Sequence, residues 1–257
     1  MSLTRQNHAM VMALLALAAP AAASVMISGV PLASLPGGNP VVLQYHSVTA
    51  LLGTKDVSYA SRTVFHNPTK QDVLVEVKVP FKAIQTLDHR RMLEAPVGAT
   101  LDGVTISFKR NPKDLSPSSV KGQGKDRYDY SAAMHAQVTF KALSSHVLTL
   151  SYALPTGLAG EDEALRTVGY GTQGFSTWAG QCEQIAFTLD FARETYRSNP
   201  ADPDERYQGY SVFAMHSTEP GRGWEVGEKR AFFERYKPTA SLGTLFFTFY
   251  PNGYRGG

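Results

Sequence analysis

Val73-Leu74-Val75-Glu76-Val77-Lys78-Val79-Pro80-Phe81 decides the fold class of this chain. Val73, Val75, Val77, Val79 and Phe81 fall on one face, and Glu76 and Lys78 fall on the other. That period-two alternation marks a strand with one buried side. The same rhythm recurs on both sides of it. Met134, Ala136, Val138 and Phe140 alternate with His135, Gln137, Thr139 and Lys141, and Leu148, Leu150, Tyr152 and Leu154 follow before Pro155-Thr156-Gly157 stops the strand. Val104, Ile106 and Phe108 repeat the pattern after the Asp102-Gly103 turn signal.

Punctuation agrees with this reading. Asn-Pro pairs stand at 39–40, 67–68, 111–112 and 199–200, where proline pushes its predecessor out of the helical region. Val57 to Phe65, the Asn-Pro-Thr-Lys-Gln-Asp turn and Val73 to Phe81 read as one hairpin. Ala83 to Leu93 is the only stretch that reads as helix, about two turns. The break at Gly157 to Ala164, centred on Glu161-Asp162-Glu163, reads as a domain boundary. Beyond it, strands are expected around Gln184 to Phe191, Tyr210 to Met215, Ala231 to Tyr236 and Leu245 to Phe249. Closely spaced strands without helical crossovers predict an all-β chain. The expected architecture is two tandem antiparallel β-sandwich domains: an immunoglobulin-like one over residues 38–156 and a second β domain over 165–251.

The N-terminus points to export. A lone Arg5, an apolar run from Ala9 to Ala19 and Pro20-Ala21-Ala22-Ala23-Ser24 have the cadence of a secretory signal peptide over residues 1–23. The run falls short of the roughly 20 apolar residues of a membrane span. A secreted or periplasmic location, with no transmembrane segment in the mature chain, is therefore expected. Cys182 is the sole cysteine, so an intrachain disulfide is excluded. The formal charge of +3 argues against a nucleic-acid partner, whose binding face needs a larger, clustered basic charge.

No catalytic motif emerges. Gly174-Phe175-Ser176-Thr177-Trp178 lacks the closing glycine of a nucleophile elbow, and the seven histidines show no metal-ligand spacing. No cofactor or metal is expected. Asp202, Asp204 and Glu205 form an acidic turn without the cadence of a calcium loop, although a calcium-stabilised adhesin module is one reading of them. The loop from Lys109 to Arg127 carries six basic residues, fit to touch an anionic envelope polymer or lipid surface. The most distinctive string runs from Gly169 to Gly180. Its Tyr170, Phe175 and Trp178 are the candidate ligand-binding residues: either a sugar-stacking platform or plugs of a domain interface.

Three features resemble a family of exported bacterial proteins with two β domains. They are the strand pair around Asn67-Pro68, the Leu148 to Leu154 strand leading to Thr177-Trp178-Ala179-Gly180, and the aromatic strand Phe232 to Tyr236 closed by Leu245-Phe246-Phe247. The resemblance implies export and β architecture and brings no catalytic residues. The function expected is that of a non-catalytic envelope protein, binding or scaffolding a polymer or protein partner. The alternative is a secreted hydrolase of polysaccharide or envelope ester with an inter-domain site near Trp178.

Overall fold

A computed structural model describes residues 25–53, 56–86, 96–110, 118–119, 128–158, 166–190, 214–227, 230–239 and 242–250. In chain order the first strands are β1 (Val25–Gly29), β2 (Leu32–Ser34), β3 (Val42–Leu52), β4 (Asp56–Asn67), β5 (Val73–Thr86), β6 (Gly98–Leu101), β7 (Val104–Thr105), β8 (Lys109–Arg110) and β9 (Ser118–Ser119). Then come β10 (Tyr128–Phe140), β11 (Ser144–Pro155), β12 (Gly157–Leu158), β13 (Arg166–Gly171), β14 (Gln184–Asp190), β15 (Ala214–Glu219), β16 (Trp224–Val226), β17 (Arg230–Tyr236) and β18 (Thr244–Tyr250). A 3₁₀ turn spans Gln173–Thr177.

The strands form two mixed sheets. A ten-stranded sheet runs β15-β18-β13-β1-β5-β10-β8, with β2, β9 and β12 attached at its sides. An eight-stranded sheet runs β16-β17-β14-β3-β4-β11-β6-β7. Alternation settles which side chains each sheet buries. Val75, Val77, Val79 and Phe81 of β5 join Val138 and Phe140 of β10 on one side, and Phe65, Leu148, Leu150 and Leu154 come from the other sheet. Rings meet across the gap: Phe65 and Phe140 lie 5.2 Å apart by ring centroid, and Phe81 and Tyr152 lie 5.3 Å apart. The inward faces of both sheets thus share one apolar cluster. Each such large side chain contributes about 1.5–3 kcal/mol by leaving water.

The pairing corrects the expected tandem, wholly antiparallel arrangement. β1 runs parallel to β13, with Ile27 opposite Gly169, and β3 runs parallel to β14, with His46 opposite Ile185. Each sheet therefore continues across the break at 157–164 and holds strands from both halves of the chain. Alternation reports which face a residue occupies and is silent about the neighbour its backbone bonds to, so the tandem reading took sequence order for spatial order.

The segment 57–81 is likewise not a hairpin, because β4 lies in the eight-stranded sheet and β5 in the ten-stranded one. The Asn67-Pro68 turn carries the chain from one layer to the other. The buried Asn67 amide holds that corner: Nδ2 donates to Gln71 O at 2.8 Å and to Phe140 O at 3.0 Å, and Oδ1 accepts from Thr69 N at 3.0 Å. The helix expected from Ala83 is extended through Thr86 as the end of β5, and 87–95 lie outside the described residues. Val104 to Phe108 is not one strand either: β7 is two residues long and Val104 is exposed, although the Asp102-Gly103 turn before it is present, both residues having positive φ. Residues 1–23, 161–163, 202–205 and most of the basic loop also lie outside the described residues.

Candidate functional site

The glycine-rich segment is placed by close backbone approach. A Cβ on Gly29 would stand 2.6 Å from Gly171 O, so β1 and β13 meet this closely because position 29 is glycine. The three candidate rings that follow are buried. Tyr170, Phe175 and Trp178 all belong to the apolar cluster, and Trp178 donates from Nε1 to Pro31 O at 2.7 Å while its ring lies 4.3 Å from Phe65. They fill space between the sheets and present no stacking surface to solvent. Cys182 is buried too, with its thiol against the Gln44 and Gln184 carbonyls, and burial pushes that thiol up to about 11.

Tyr170 instead organises a polar centre inside the core. Its hydroxyl meets His46 Nε2 at 2.7 Å, while His46 Nδ1 meets Thr63 Oγ1 at 2.9 Å. Tyr59 donates to Gly169 O at 3.3 Å. Desolvation lowers the His46 imidazole to about 3, so it is neutral, and the same burial raises Tyr59, Tyr152 and Tyr170. The Tyr152 hydroxyl has Ser28 and Tyr170 as neighbours without good hydrogen-bond geometry to either. Each titratable member is held in its uncharged form away from solvent. Apart from the Tyr152 hydroxyl, the cluster is a hydrogen-bonded core network.

A second arrangement has the residue types of a hydrolase. Asp102 Oδ2 lies 2.7 Å from His146 Nδ1, and His146 Nε2 lies 2.9 Å from Ser144 Oγ. No sequence signal marks it, since the three residues come from the β6–β7 turn and the start of β11. Its chemistry fails on proton accounting. The Lys141 amide already donates to His146 Nε2 at 2.8 Å, and the Ser144 hydroxyl lies 2.7 Å from Lys141 O. A general base needs that lone pair free for its nucleophile. The neighbouring amides are spent as well: Ala142 N donates to Asp72 and Leu143 N to Thr69 O, which leaves neither to hold an oxyanion. Partial burial pushes the Asp102 carboxyl up, and the Val147 amide with the His146 ring more than offsets this and holds it below its ordinary value. The set ties two turns together.

The remaining site lies on the outer face of the eight-stranded sheet. Cross-strand register sets Thr100, Thr149, Arg62 and Ser47 in one row and Gly98, Ser151, Ala60 and Thr49 in the next. Because these side chains, Arg62 apart, are small, the pleat is left as an open trough of about 600 Å³. Gly98 keeps it clear, since a Cβ there would stand 2.6 Å from Ser151 Oγ. Sequence analysis missed this face because its residues come from five strands and read one at a time as ordinary solvent-side positions. Among the described residues no group of three or more His, Cys, Asp or Glu is placed to hold a metal ion, and no helix is long and apolar enough to cross a membrane.

Comparison with known proteins bears on the fold. No known protein family and no curated protein matches the chain by sequence. Among solved structures it is similar to a "putative nutrient binding protein" of Legionella pneumophila, with a TM-score of 0.58 and 11% identity over 89% of this chain and 72% of that one. It is more loosely similar to an M1 zinc metallopeptidase of Deinococcus radiodurans, with a TM-score of 0.35, 10% identity, and coverage of 83% of this chain and 42% of that one. Leukotriene A4 hydrolase of Saccharomyces cerevisiae gives a TM-score of 0.37, 8% identity, and coverage of 84% and 31%. The chain spans less than half the length of these two enzymes, and likenesses this loose do not bear on its chemistry.

Proposed function

We propose that this chain is an exported, non-catalytic binding protein of the cell envelope, built as a single two-layer β-sandwich, and that the trough on its eight-stranded sheet holds the ligand. The observation that carries this reading is the trough itself: five strands contribute to an open face whose side chains, Arg62 apart, are kept small and mostly hydroxylic. The likeness to the Legionella protein is compatible with a binding role. The leader-like residues 1–23 support export to the periplasm or beyond, and the partner is an envelope polymer or protein. The hydrolase alternative near Trp178 loses its footing because that ring is interior and the Ser144, His146, Asp102 set is proton-saturated.

Ala60 lies mid-trough between Ser151 and Thr49 on the solvent side, so Ala60→Trp fills the space without touching the core. In co-sedimentation with purified cell-wall and envelope polysaccharide, the protein should pellet with one fraction. The variant should lose about tenfold or more of that binding at an unchanged melting temperature. Retention of full binding by Ala60→Trp would refute the site. Cell fractionation with and without residues 1–23 checks export separately.

A further inference from the structure

We infer that Arg62 makes the trough selective for a carbohydrate bearing an oxyanion, a carboxylate or a phosphate; this rests on the trough being the ligand site. Arg62 projects from β4 with Ser47 opposite it on β3 and Thr149 opposite it on β11. Among the described residues no carboxylate pairs with its guanidinium. Along its own row the nearest acid is Glu234, three strands away through Ser47 and Ala186, about 14 Å at the usual strand spacing. Glu234 already accepts from Gln184 Nε2. Two other surface cations, by contrast, are met: Lys78 lies 3.1 Å from Glu76, and Lys141 lies 2.7 Å from Asp72. A guanidinium left open in a recess presents a fork of donors matched to two oxygens of a planar carboxylate or a phosphate.

The hydroxyls around it define the rest of the ligand. Thr100 and Thr149 bond to one another at 2.6 Å, whereas the hydroxyls of Thr49, Ser151 and Thr105 have no partner among the described residues. A hydroxyl both donates and accepts, so it is best matched by a ligand that also does both, as a polyhydroxylated sugar does. Aromatic rings do not line the trough, so recognition rests on hydrogen bonds and the one charge.

Calorimetric titration of the purified protein with trigalacturonate, its methyl ester, glucose 6-phosphate and glucose tests the inference. Trigalacturonate should bind about tenfold or more tightly than its ester, and Arg62→Gln should bring the two together without moving the melting temperature. If glucose 6-phosphate, but not glucose, shows the Arg62-dependent binding, phosphate is the group recognised and the inference stands. Equal binding within both pairs, acid against ester and glucose 6-phosphate against glucose, or insensitivity to Arg62→Gln, overturns it; if that binding still vanishes in Ala60→Trp, the trough remains the ligand site. Binding untouched by both substitutions removes the trough as well. Absence of binding by every probe up to about 10 mM also overturns the selectivity for anionic sugars.

Discussion

His46 sits in β3 with a partner on each ring nitrogen, and it carries a sharp consequence for acid stability. Burial lowers its folded-state pKa from 6.5 to about 3. The unfolded chain therefore takes up a proton below pH 6.5 that the folded chain refuses. The associated stability is fully present above pH 6.5 and is lost as pH falls toward 3, at about 1.4 kcal/mol per unit. Between pH 6.5 and 5 the loss should be about 2 kcal/mol, above the range in which Asp72, Asp102 and Glu76 begin their own acid losses. His46→Gln carries no such proton. It should be less stable at pH 7, by about 1–3 kcal/mol from imperfectly replaced buried hydrogen bonds, yet flatter across that window. Urea midpoints at several pH values separate the two effects, and parallel slopes for both proteins would show that His46 is not the titrating group.

At the scale of elements, the corner between β4 and β5 explains why the sequence misled about pairing. Two alternating strands joined by Asn-Pro and a few polar residues look alike whether the chain folds back within one sheet or climbs to the next. The difference lies in what the Asn67 side chain bonds. It reaches Phe140 O at the end of β10, so the corner is fastened to a strand far along the chain. No local pattern records a contact separated by 73 residues. Asn67→Ala should strand the Gln71 and Phe140 carbonyls and the Thr69 amide, costing about 2–4 kcal/mol in a chemical denaturation series. Asn67→Asp keeps the acceptor but not the donors and should fall between. A loss below about 0.5 kcal/mol for Asn67→Ala would mean that the connection holds without it. The inward faces of β5, β10, β11 and β14 were legible because burial there follows alternation. The trough was not, since it is made by register between strands rather than by any run along one.

For the whole molecule, the question is whether the chain unfolds as one unit or two. A pair of tandem domains would give separable transitions, and residues 25–158 would fold alone. The observed sheets argue otherwise. β1 lies between β5 and β13, so the first described strand is the seam that joins early and late strands in the ten-stranded sheet. In the eight-stranded sheet β3 and β14 form a second seam over seven paired positions. Severed at 157–164, each half would expose the full edge of a central strand in both sheets and half of a shared core, the condition that promotes edge pairing and aggregation. Neither half should therefore give a soluble, protease-resistant product when expressed alone. The intact protein should lose far-ultraviolet dichroism and the fluorescence of Trp178 and Trp224 in coincident transitions. Gly29 tests the seam directly. With Gly171 O 2.6 Å from where its Cβ would stand, Gly29→Val must push β1 from β13, and loosening one seam should lower the midpoint of the whole transition by the same amount for both probes. Two transitions in the intact protein, or a Gly29→Val effect on only one probe, would instead show that the halves are energetically independent despite sharing their sheets.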